Sequence, residues 1–148
     1  VFGIEIIDKR HVVIYFLDRA KKGRLFMNRN IMIQTLRRFK VTSGYKGYYY
    51  LLDAADIISG FHTKEKPFAT QNDIYIPIGE KHETSFYNVE RGIRVVVDKC
   101  WKEDKELMME ILGYHAIKCP SNSEFLDAFT FFCETGKRGI FPCFIIFL

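Results

Sequence analysis

Through the first 90 residues the apolar positions fall into short runs that alternate with polar ones. Phe2, Ile4 and Ile6 alternate with Gly3, Glu5 and Ile7. Asp8-Lys9-Arg10 reads as a tight connection, and His11 to Leu17 is a β-branched and aromatic run, so the two segments form a hairpin. Asn30 to Gln34 carries Ile31 and Ile33 on one face, and Arg37 to Thr42 carries Phe39 and Val41. Tyr48 to Leu52 is the strongest strand signal, followed by a loop from Asp53 to Lys66. Ile74, Ile76 and Ile78 are in phase within Asn72 to Ile78, where Pro77 favours a sheet edge. Thr84 to Val89 adds a further strand. Lys21-Lys22-Gly23-Arg24 and Ser43-Gly44-Tyr45-Lys46-Gly47 supply turns. Gln34 to Arg38 is compatible with a helix, but the Gly, Thr and aromatic residues on either side weigh against it. Strands at this spacing predict a β-sandwich over residues 1–90.

The period then changes. Ile93 to Val97 is a continuous β-branched run of the kind found in buried strands. Leu107, Met108, Ile111 and Leu112 recur at helical spacing within Glu103 to Leu112, and Gly113 stands where a C-terminal cap belongs. His115 to Lys118 reads as a short strand and Pro120-Ser121-Asn122-Ser123 as a helix start or turn. Phe129 to Cys133 either ends a helix or forms a strand. Gly136 to Gly139 is a turn before an apolar tail. This order predicts a small α/β unit with a parallel strand pair over residues 91–148. The four Cys and the one Trp lie after residue 99 and seven of the eight Tyr before it, which places the join near Asn88 to Gly92.

Composition narrows the class. Of the 148 residues, 48% are hydrophobic and 27% charged, enough for a packed core. A net charge of +4 is too weak a bias to argue for bulk nucleic-acid binding. The apolar run Gly139 to Leu148 is far short of the roughly 20 residues that span a bilayer. Val1 to Asp8, with Glu5 and Asp8, does not read as a signal peptide. Cys100, Cys119, Cys133 and Cys143 show no Cys-x-x-Cys pairing, so they read as free thiols in a reducing compartment rather than metal ligands. No nucleophile–base series, P-loop or His-Glu-x-x-His occurs, so neither an enzyme nor a cofactor is expected.

One stretch carries a family resemblance. Leu51-Leu52-Asp53, Ser59-Gly60-Phe61, Asn72-Asp73-Ile74-Tyr75-Ile76-Pro77-Ile78-Gly79 and Ser85-Phe86-Tyr87, with Gly23-Arg24 upstream, resemble the ordered motifs of a forkhead-associated (FHA) domain. The segment from Ile93 to Phe132 and the segment from Gly136 to Leu148 are similar to the opening and the resumption of a BRCT domain. Direct FHA–BRCT fusion resembles the N-terminal region of the nibrin-like family of the MRN double-strand-break repair complex. The resemblance implies a non-enzymatic interaction module, a nuclear location, and phosphothreonine proteins or other repair-complex subunits as partners, with nucleic acid met at most indirectly and no membrane. Arg24 and one of Arg37 or Arg38 would supply guanidinium groups to the phosphate and Thr35 or Ser59 a hydroxyl, with Gly60 in the binding loop. The FHA Ser-Arg-x-His signature is missing: with Arg37 as its Arg, Leu36 and Phe39 stand in the Ser and His places. A degenerate FHA scaffold is therefore favoured over a working phosphate reader.

Two further patterns compete. Lys64, Lys66, Lys81, Arg91 and Arg94, interleaved with Tyr75 and Tyr87, have the makings of a phosphate-tracking and base-stacking surface. Glu65, Asp73, Glu80, Glu83 and Glu90 interrupt it, so these residues read first as core and solvated face. Asp98, at the end of the expected strand Ile93 to Val97, gives the alternative function: an α/β phosphoreceiver or nucleotide-binding unit with a β-rich extension.

Overall fold

The computed structural model describes residues 2–8, 11–16, 29–135 and 143–147, the strand segments by their backbone. Phe2–Asp8 (β1) pairs antiparallel with His11–Phe16 (β2), from Phe2 opposite Phe16 to Asp8 opposite His11. Cys143–Phe147 (β3) pairs antiparallel on the other side of β2, with His11 opposite Phe147. Between β2 and β3 the described chain is helical. Its elements are α1 (Arg29–Arg38), α2 (Gly47–Thr63), a π-helical turn (Thr70–Tyr75) running directly into α3 (Ile76–Lys81), α4 (Phe86–Glu103), α5 (Lys105–Leu112) and α6 (Asn122–Thr135).

This overturns the expected fold class. Neither a β-sandwich over 1–90 nor a βαβ unit over 91–148 is present among the described residues; strand is confined to the three antiparallel segments. The segments read as strands at 30–34, 48–52, 72–78 and 93–97 are all helical. The expected join at residues 88–92 falls inside α4.

Burial shows why helix wins. In α1, Met32, Thr35 and Leu36 face inward. In α2 the buried set includes Tyr48, Leu51, Leu52, Ala55, Ile58 and Ser59, and in α4 it is Val89, Ile93, Val96, Val97 and Cys100. Both sets follow the three- and four-residue steps of a helix. Each buried Leu, Ile or Val contributes roughly 1.5–3 kcal/mol relative to exposure, which outweighs the few tenths by which β-branched residues disfavour helix. A strand would have turned half of these side chains to water.

Caps set the ends. Asp104 accepts from the Leu107 amide at 2.9 Å to start α5, and Gly113, at φ 78°, closes it. Ser121 and Glu124 cap one another at the start of α6: the Ser121 hydroxyl accepts from the Glu124 amide, and the Glu124 carboxylate from the Ser121 amide.

α2 meets α4 at its first residue. A Cβ on Gly47 would lie 2.1 Å from the Gly92 carbonyl oxygen, so the two backbones touch where no side chain fits. α2 is also clamped to α6. His62 lies 2.7 Å from Asp127 through Nε2 and 3.1 Å from Glu134 through Nδ1, and the Glu134 side chain is 1% exposed. Cys100 and Cys133 are buried free thiols, and burial pushes both up to about 12, which leaves them protonated and unreactive.

Candidate nucleic-acid interface

α3, a four-residue turn and α4 form a short helix, a tight corner and a long helix. The corner is made by backbone bonds: the His82 amide donates to the Ile78 carbonyl at 3.0 Å and the Thr84 amide to the Gly79 carbonyl at 2.9 Å. Glu83 takes a left-handed φ of 54° to turn the chain. Gly79 is required there, because a Cβ would sit 2.8 Å from the Thr84 carbonyl oxygen. Ser85 is extended and accepts from the Asn88 amide, which starts α4. Asn88 Nδ2 donates to Thr84 Oγ1 at 3.0 Å and ties the first turn of α4 back to the corner.

The corner is anchored on α2 through one carboxylate. Asp53 Oδ1 accepts from Lys81 Nζ at 2.9 Å and from Arg29 Nη2 at 3.1 Å, and His82 Nε2 lies 2.6 Å from Oδ2. Burial works to raise the Asp53 pKa, but the hydrogen bonds from His82 and Lys81 outweigh it and hold the carboxyl below its ordinary value. The His82 ring meets Tyr50 edge-on at 5.1 Å. On the far side, Asn122 Nδ2 donates to the Glu90 carbonyl and to the Tyr75 hydroxyl, both at 3.1 Å, and so links α6, α4 and the π turn.

With its inner face packed, α4 presents Tyr87, Asn88, Glu90, Arg91 and Val95 to solvent. Tyr87 is 64% exposed, and its ring lies 4.0 Å from that of Phe86 at 31°. Arg91 makes no ion pair among the described residues. Arg94 is committed inward: Nε and Nη2 bind Asp98 Oδ1 at 3.0 and 2.8 Å, and Nη1 donates to the Pro120 carbonyl at 3.0 Å. A short helix, a corner of this length and a second helix with its N-terminal half exposed is the arrangement of a helix-turn-helix, whose second helix enters the major groove.

A family model described as "Sporulation initiation factor Spo0A C terminal" matches residues 32–131, about two-thirds of the chain and the whole of α2 to α5. The chain belongs to the Spo0A C-terminal family. Neither the curated proteins nor the solved structures gave a match. Spo0A C-terminal domains are non-catalytic DNA-binding effectors of a bacterial regulator, so the chain is not an enzyme.

Membership corrects several expectations. The FHA–BRCT, nibrin-like resemblance falls, because the chain belongs to a different family and the FHA motifs at residues 51–53, 59–61 and 72–79 lie on helices. Phosphothreonine proteins and repair subunits fall with it as partners, since Spo0A C-terminal domains bind DNA directly. A nuclear location falls because the family is bacterial. The phosphoreceiver alternative came nearer in biology, since the family belongs to a phosphorelay regulator, but Asp98 lies within α4 and not at a strand end.

The residues expected to hold a phosphopeptide are spread over two helices. Thr35 is buried on α1, and its hydroxyl donates to the Ile31 carbonyl at 2.8 Å. Arg37 and Arg38 stand at the exposed end of α1, with Arg38 3.9 Å from Glu110. Ser59 is buried within α2 and Gly60 exposed beside it. Arg24 lies outside the described residues.

Of the interleaved basic and aromatic residues, Lys81, Tyr87 and Arg91 do gather on the helix-turn-helix. Tyr75 is buried against Asn122, and Lys64 and Lys66 follow the end of α2. In the sequence Asp53 figures only within the Leu51-Leu52-Asp53 motif, and His82 and Asn88 carry no functional signal beyond the Ser85-to-Asn88 cap ahead of the helical period of α4, which marks Asn88.

Proposed function

We propose that this chain is the DNA-binding effector unit of a transcription regulator and that it places the N-terminal half of α4 in the major groove. The observation that carries this reading is the exposed face of α4 at the head of the helix-turn-helix, within the family match. Arg91 is suited to bidentate contact with guanine O6 and N7. The Ser85 cap and the Asp53 anchor hold the angle between the two helices before DNA arrives, so little ordering is left to oppose binding.

The test is fluorescence anisotropy of the purified chain with duplexes enriched from a random-sequence pool. Binding should weaken steeply with salt, as phosphate contacts release counterions. Arg91→Ala should lower affinity for the enriched duplex by about 10- to 100-fold, with unchanged melting, and relax preference at one base pair. Equal affinity for enriched and random duplexes, or an unaffected Arg91→Ala variant, would refute the reading.

A further inference from the structure

The first turn of α4 offers the groove an unusual group. N-terminal residues of a recognition helix are the ones that reach base edges. Here Phe86 is half-buried against the core, and the side-chain amide of Asn88 is spent on Thr84. Tyr87 is the one large, uncommitted side chain of that turn, and its hydroxyl has no partner among the described residues. A phenol ring cannot neutralise a phosphate. Its apolar edge has one counterpart on the major-groove floor, the C5-methyl group of thymine. Stacking on Phe86 restricts the ring before binding, so the entropy of fixing it is already spent.

Resting on the DNA-binding reading above, we propose that Tyr87 is a specificity-determining residue that recognises a thymine methyl group. Arg91 lies four residues on, on the same face of α4. Four residues of helix rise about 6 Å, close to two base-pair steps of about 3.4 Å each. The thymine therefore lies within about two base pairs of the guanine read by Arg91.

The experiment uses the 148-residue chain, a duplex enriched from a random pool, and the same duplex with each thymine in turn replaced by deoxyuridine, which deletes only the methyl group. At one position near the Arg91-dependent guanine, the wild type should lose about fourfold in affinity, the worth of one buried methyl. Tyr87→Phe should keep that sensitivity, because the ring and not the hydroxyl makes the contact. Tyr87→Ala should bind both duplexes weakly and equally, with a melting curve that shows the fold intact. Sequence-specific binding with no deoxyuridine effect, or the same effect in Tyr87→Ala, would overturn this proposal and leave the parent reading standing. No specific binding by the wild type would overturn both.

Discussion

Deprotonating His62 should unlock α2 from α6 at alkaline pH. The hydrogen bond to Glu134 is the main cause that raises the His62 pKa from 6.5 to about 9; burial opposes it, and the bond to Asp127 adds to it. The folded value lies above the unfolded one. The stabilisation is therefore fully present below pH 6.5 and is lost as pH rises through about 9. A rise from 6.5 to about 9 corresponds to about 3 kcal/mol, and screening at Asp127, 57% exposed, brings the expected loss to about 2–3 kcal/mol. The chemistry is specific. A neutral imidazole keeps one N–H; with it held on Nδ1 for the buried Glu134, Nε2 turns a lone pair toward Asp127 and both charge-assisted contacts are weakened. Urea unfolding at pH 6 and pH 9.5 measures the loss. His62→Gln, which donates an amide hydrogen but carries no titrating group, should be less stable than wild type at pH 6 by about the same amount and nearly flat by comparison. Other groups titrate in both proteins and cancel in the difference. Parallel stability curves for the two proteins from pH 6 to 9.5 would refute the reasoning.

Two further substitutions probe the frame around the interface. Asp53→Asn removes the charge that gathers Lys81, Arg29 and His82, and should cost about 2 kcal/mol at neutral pH by urea unfolding. The folded pKa of Asp53 is lowered, so the wild-type advantage is present above about pH 4 and should vanish as pH falls through the folded value. Gly47→Ala forces a methyl to within 2.1 Å of the Gly92 carbonyl oxygen, so α2 and α4 must part. A loss of about 3 kcal/mol or more in the thermal or urea transition is expected, and a neutral result would mean that the helices do not cross there.

The parts of the fold that were legible in the sequence are those whose signals are local. The Phe2–Asp8 and His11–Phe16 pair, the helix ending at Gly113 and the helix start near Ser121 each carry their own alternation, cap or stop. What misled was period read over windows too short to tell 2 from 3.6. Ile74, Ile76 and Ile78 alternate in sequence, yet the buried residues there are Ile74, Tyr75 and Ile78. The run Ile93 to Val97 looks like a buried strand in isolation. Joined to Val89 and Cys100 it is one helical stripe, and placing a domain join at residues 88–92 cut that stripe in two. Tyr48 to Leu52 fails in the same way: its aromatic content favours strand, but the register of burial continues unbroken to Ser59.

The candidate site was hidden for a different reason. Lys81, Tyr87 and Arg91 are all visible in the sequence, but along a linear run Glu80, Glu83 and Glu90 cancel them. Charge along a chain is not charge on a face. Folding turns Arg94 inward to Asp98 and Pro120, buries Tyr75 against Asn122, and ties Lys81 to Asp53, while Tyr87 and Arg91 are left uncommitted among the described residues, one helical turn apart on the outer side of α4. What a base pair meets is decided by which side chains the protein has already spent on itself. A net charge of +4 supplies little long-range pull toward DNA, so discrimination must come from the few groups left unspent.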